Sequence, residues 1–122
     1  MRTRLMTLAL TLFLAACGGG SDSTAPVTSG GGGGGGGPIA TTSVEMKNIA
    51  FSPAAIKVAS GATVTWTNSD GFNHNVTFAG AAVAPSGNFA TGSKALVMPT
   101  TPGTYNYSCT IHAGMAGTVT VQ

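Results

Sequence analysis

From Ile39 to the C-terminus the apolar residues recur at every second position, in short runs separated by Gly, Pro, Asn and Ser. Side chains on a β-strand alternate between two faces, so this pattern buries one face of each run and leaves the other to water. In "SVEMKNI", Val44 and Met46 alternate with Glu45 and Lys47; in "AAIKV", Ile56 and Val58 flank Lys57. In "ATVTWTN", Val64 and Trp66 share one face while Thr63, Thr65 and Thr67 share the other. "HNVTF", "KALVM", "GTYNYSC" and "AGTVTV" supply further runs, and no stretch holds a helical period. The expectation is an all-β antiparallel sandwich or barrel of about seven or eight strands. A chain of 122 residues leaves room for one such domain, at 39–122.

What precedes it cannot join that core. Residues 18–38, "GGGSDSTAPVTSGGGGGGGGP", are low-complexity sequence with almost nothing to bury, the composition of a disordered tether. About 20 such residues reach roughly 25 Å. Further upstream, Arg2 and Arg4 precede an apolar run from Leu5 to Ala16, the layout of a secretory signal over residues 1–16. The run is too short for a spanning helix, which needs about 20 apolar residues. "LAAC" at 14–17 resembles the lipobox of bacterial lipoproteins, in which the cysteine is acylated and becomes the mature N-terminus. That resemblance implies an exported protein, lipid-anchored at Cys17 to a bacterial membrane and facing the periplasm or the outside. Gly18, rather than Asp, favours onward sorting to an outer membrane in a cell that has one. An ordinary signal peptide with an incidental cysteine is the alternative.

Cleavage would remove both arginines and leave Lys47, Lys57 and Lys94 against Asp22, Glu45 and Asp70. A near-neutral chain lacks the basic patch of a nucleic-acid binder. If Cys17 carries lipid, Cys109 has no partner for an internal disulfide, and a lone thiol in an oxidising compartment is either a small buried hydrophobe or a metal ligand.

Strand parity turns His74 to the face of Val76 and Phe78, and Cys109 to that of Tyr105 and Tyr107. Both therefore point inward, one at a strand's start and one at a strand's end. Each has an ordinary reading by itself, a satisfied core histidine and a packed thiol. Together with His112 and Met115, which follow Cys109 in C-x2-H-x2-M order, they make a different set. Two imidazoles, one thiolate and a weak axial thioether suit copper in an electron-transfer centre. Zinc is disfavoured, because a thioether is a poor zinc ligand.

Two segments extend the argument. "FSPAAIKVASGATVTWTNSDGFNHNVTF" follows an F-x-P…G-x-x-V-x-W-x-N…H-x-V pattern, and "GTYNYSCTIHAGMAGTVTVQ" a G-x-Y-x-Y-x-C-x-x-H…M-x-G-x-V-x-V pattern. Both resemble the blue-copper cupredoxins, in particular the plastocyanin and amicyanin group, and the two-residue gap between His112 and Met115 is amicyanin-like. The resemblance implies a Greek-key β-sandwich with one type 1 copper ion held strongly by His74, Cys109 and His112 and weakly by Met115. It implies that the Asn75 backbone amide donates to the thiolate sulfur, and that the Asn75 side chain bonds the Thr110 hydroxyl and ties the ligand loops together. The family often has Pro before the first histidine, where this chain has Asn73.

His112 lies in the turn beyond Cys109, so its ring edge can reach the surface and pass the electron. Phe72, Ala113 and Gly114, with Pro85, would form an uncharged docking patch around it for a redox donor and acceptor, the protein acting as a monomer. A copper-delivery protein would use the same ligands, but the chain lacks the exposed Met- and His-rich tracts such proteins favour. An enzyme is disfavoured, since further copper sites need more histidines than the two present. A Cys109–His112 thiol hydrolase is conceivable, and a purely structural lipoprotein is the remaining alternative.

Overall fold

The computed structural model describes residues 36–122. The expected signal segment at 1–16, Cys17 and most of the glycine tract lie outside the described residues. Nine strands follow in order: β1 (Ile39–Ala40), β2 (Ser43–Lys47), β3 (Ala50–Ser52), β4 (Ala55–Val58), β5 (Thr63–Asn68), β6 (Thr77–Phe78), β7 (Gly92–Val97), β8 (Gly103–Ser108) and β9 (Ala116–Val121). One 3-10 turn, Ala79–Ala81, interrupts them. They form two sheets, β1-β4-β9-β8-β6 and β3-β2-β5-β7, and the chain crosses repeatedly from one to the other.

The alternation in the sequence becomes the core directly. Val44 and Met46 of β2, Ile56 and Val58 of β4, Val64 and Trp66 of β5 and Val119 and Val121 of β9 are buried, while Glu45 and Lys47 are exposed. Trp66 sits at the centre, edge-on to Phe78 at 5.9 Å and to Tyr107 at 5.4 Å. Losing so large a buried ring would cost about 3–5 kcal/mol.

Two expectations are corrected. The sheets are mixed: β1 and β9 each run parallel to β4, and β2 runs parallel to β5, while the remaining pairs are antiparallel. Period-2 alternation is the same for either direction, so only the pairing of distant segments decides it. The described residues form nine strands, because β1 and β3, of two and three residues, are too short to leave a periodic signal, and the expected β6 is itself only two residues long. "HNVTF" is accordingly a strand only at its end, and His74 is held by an isolated antiparallel bridge to Phe89. The inward direction expected for His74 nevertheless stands, with its side chain wholly buried. Strand β7 is an edge of its sheet, and most of its side chains are exposed.

Candidate metal centre

Each expected ligand is fixed by a different local device. His74 follows the end of β5, where the buried Asn68 donates from Nδ2 to the carbonyls of Phe72 and Phe89, both at 2.7 Å. His74 and Phe89 exchange backbone hydrogen bonds at 3.1 and 3.0 Å. The segment that lacks the proline therefore gets its rigidity from bonds across to Phe89.

Cys109 is the first residue beyond β8. Its amide donates to the Met115 carbonyl at 2.9 Å, and the Met115 amide to the His112 carbonyl at 3.3 Å, so the loop closes on itself at the start of β9. Gly114 takes φ +81° in that loop, a left-handed conformation that a side chain would strain. Cys109 and Met115 are buried, His112 is half-buried and Thr110, Ala113 and Gly114 are exposed.

Folding brings together residues far apart in sequence. Cys109 Sγ lies 3.9 Å from His74 Nδ1 and 3.5 Å from His112 Nδ1. The three ligand atoms all fall within 4.8 Å of one another. At bonds of about 2.0 Å to nitrogen and 2.3 Å to sulfur, a trigonal site spaces its ligand atoms about 3.5–3.7 Å apart. The two sulfur–nitrogen spacings, 3.9 and 3.5 Å, lie within about 0.3 Å of that geometry. Two imidazole nitrogens and one thiolate sulfur, with a buried thioether-bearing residue closing the same loop, are the soft donor combination that suits copper.

Burial pushes the Cys109 thiol up, but the Asn75 and Ile111 amides, with donation from an imidazole that carries its proton on Nδ1, outweigh it. The pKa falls from 9.0 to about 6. At neutral pH the sulfur is thus largely thiolate, the form that binds metal.

Asn75 braces the two ligand segments as expected, and more extensively. Its Nδ2 donates to Thr110 Oγ1 at 2.8 Å and to Asn88 Oδ1 at 2.9 Å; its Oδ1 accepts from the Thr110 amide at 2.9 Å and Thr77 Oγ1 at 3.3 Å. At the surface, Phe72 packs on both imidazoles, 5.0 Å from the His74 ring and 5.6 Å from the His112 ring, and the two histidine rings are 4.7 Å apart. Phe72 is 43% exposed and Ile111 45%. Pro85 is exposed on the segment after the 3-10 turn, where Ser86 and Asn88 make the bonds toward the site.

The copper binding proteins of the plastocyanin/azurin family match residues 39–122. The chain belongs to this family. The match spans both ligand segments and the whole sandwich. A plastocyanin from Scenedesmus fuscus is 37% identical over 86 residues, covering 61% of this chain and 88% of its own. Amicyanin-alpha from Methylorubrum extorquens is 33% identical over 89 residues, covering 70% of this chain and 75% of its own. Among solved structures, a novel purple cupredoxin from Nitrosopumilus maritimus superposes with a TM-score of 0.60 at 27% identity, covering 67% of this chain and all of that one. The Cu(I) form of an amicyanin mutant also gives 0.60 at 27% identity, covering 70% and 92%. Copper is the metal of this cupredoxin family, and the geometry above fits it.

Four residues near the site escaped the sequence reading. Asn68 stands inside the V-x-W-x-N run but carried no assigned role. Asn88 and Ile111 leave no signal of their own. Asp70, four residues before His74, entered only as a charge, yet its Oδ2 lies 2.8 Å from His74 Nε2.

Proposed function

We propose that this cupredoxin is a membrane-tethered type 1 copper electron carrier of the cell envelope rather than an enzyme. His74, Cys109 and His112 would hold the ion strongly, with the Met115 thioether as a weaker donor. The observation that carries the reading is the set of two Nδ1 atoms at 3.9 and 3.5 Å from one low-pKa sulfur, with the outer ring half-exposed. When bound, copper supplies a one-electron couple between Cu(I) and Cu(II).

The residues supply the rest. His74 and Cys109, buried on a rigid sandwich, keep their donor atoms in place whichever charge the site carries. Asn75 ties the segment after His74 to the loop after Cys109, so neither drifts as charge changes. His112 is the port through which the electron leaves. Around it Phe72, Ile111, Ala113 and Gly114 form an uncharged exposed surface, which suits the small, short-lived contacts of redox encounters. With few charges on the domain, long-range steering contributes little. The donor and acceptor are redox proteins, met by a monomer that the acylated Cys17 and glycine tract hold near the membrane.

Adding Cu(II) to the purified chain tests the site. The expected result is an intense blue thiolate-to-copper absorption that bleaches reversibly with one electron and is lost in Cys109→Ser. A colourless product, or colour that survives Cys109→Ser, would refute it. Labelled fatty acid should enter the wild-type chain in a bacterial host and not Cys17→Ala; equal labelling of the two would remove the anchor from the reading.

A further inference from the structure

Asp70 is the one carboxylate in contact with the ligand cluster among the described residues, and its bonds join two parts of the fold. Oδ1 accepts from the Asn48 amide at 2.6 Å, and Oδ2 from the Ile49 amide at 3.0 Å and His74 Nε2 at 2.8 Å. Its own amide is anchored to Asn68 Oδ1 at 3.0 Å. The contacts to Asn48 and Ile49 are long-range, while His74 and Asn68 lie on the same segment as Asp70, so the carboxylate links the His74 segment to the β2–β3 connection.

The far end of this link is unusual. Asn48 and Ile49 form the two-residue connection between β2 and β3, which leaves Lys47 paired with Ala50. Both have positive φ, 55° and 56°. A two-residue hairpin with both central residues left-handed is a type I′ turn, the usual home of Asn-Gly. A β-branched side chain there is a strained outlier, and such outliers gather at functional sites. Ile49 is held in that conformation while 46% exposed, with Asp70 accepting from both amides of the turn.

We propose that Asp70 is a positioning residue for the copper centre, locking His74 as the tautomer that carries its proton on Nε2 and presents Nδ1 to the metal. A proton on Nε2 shared with a carboxylate leaves the Nδ1 lone pair facing Cys109 Sγ, where the trigonal site needs it. The carboxylate–histidine–metal arrangement also strengthens the imidazole as a donor. Its negative charge favours the more highly charged copper state, so Asp70 lowers the reduction potential. Because the same carboxylate holds the turn at 48–49, the orientation of the ligand is coupled to the β2–β3 hairpin. The inference rests on the copper reading for its effect on potential, but not for its effect on the tautomer.

Asp70→Asn keeps size and one acceptor while removing the charge. In the full-length copper-loaded chain its reduction potential should rise above that of the wild type, with a shifted blue band. In the copper-free chain, 15N NMR of the His74 ring should show a single Nε2–H tautomer in the wild type and a mixture in the variant. This second readout stands even if copper fails to bind. Ile49→Gly, which suits positive φ, relieves the turn's need for the carboxylate and supplies a background in which Asp70→Asn remains folded. There the potential should again rise and the tautomer again mix. A merely structural Asp70 would instead change amide exchange at Asn48 and Ile49 while leaving both potential and tautomer as in the wild type; that result overturns the proposal.

Discussion

Replacing Asn75 with Ala is the sharpest probe of how the two ligand segments are joined. The truncation deletes four hydrogen bonds, to Thr110 Oγ1, the Thr110 amide, Asn88 Oδ1 and Thr77 Oγ1. At about 1 kcal/mol each the ceiling is about 4 kcal/mol. Thr110 and Asn88 are exposed, so water re-satisfies their side chains, and the 3.3 Å bond to Thr77 is weak. What remains is the stranded Thr110 amide and the partial cavity, which brings the expected loss to about 2 kcal/mol. Urea unfolding of the copper-free chain measures it without the added stability of a bound metal. Thr110→Val removes only the hydroxyl and should cost about 1 kcal/mol. Since both changes delete the same Nδ2–Oγ1 bond, the double variant should be less destabilised than the sum by about 1 kcal/mol. Strict additivity, or a loss below about 0.5 kcal/mol for Asn75→Ala, would show that the segments are not joined through this side chain.

Three further outcomes are expected. The thiolate absorbance of Cys109 in the copper-free chain should titrate near pH 6 and not 9.0. A depressed pKa stabilises the fold fully above 9.0, and this contribution is lost as pH falls toward about 6; a midpoint at 9.0 would refute the thiolate argument. Burial pushes the Tyr107 phenol up to about 12, with Trp66 opposing, so its contribution is complete below 10.0 and is lost as pH rises toward about 12. Tyr107→Phe should abolish that alkaline decline and, because the buried hydroxyl makes no well-formed hydrogen bond and meets the Trp66 indole N–H only in poor geometry, leave neutral-pH stability within about 0.5 kcal/mol or improve it. In Gly117→Ala the new methyl would stand 2.5 Å from Tyr107 Cζ and 2.7 Å from the Ala54 carbonyl, and thermal melting should show a loss of about 3 kcal/mol. An unchanged melting temperature there would mean that the β8–β9 contact is loose.

Much of the core was legible because burial in a sheet follows a two-residue period whatever the topology. Val44, Met46, Ile56, Val64 and Trp66 needed no knowledge of their partners to be placed inside. Strand direction was not legible, since β2 and β4 keep the same alternation whether β5 and β9 run beside them parallel or antiparallel. The short β6 was overextended for a related reason: His74 and Val76 alternate correctly, yet a bridge to Phe89 and a bond from the Val76 amide to Ser86 Oγ replace the ladder there.

The sequence by itself determined the chemistry available. One thiol within 39–122, two imidazoles and a thioether, three of them in C-x2-H-x2-M order, can be read without coordinates, because ligand type and local spacing are covalent facts. Only the tertiary structure decided the environment of that chemistry. Cys109 meets His74 across 35 positions, and Asp70 reaches Asn48 across 22. Phe72 comes to rest on both imidazoles and Asn88 joins the Asn75 brace through a loop with no periodic pattern. Such contacts depend on how two sheets pack and where their connecting loops converge, which local periodicity does not encode.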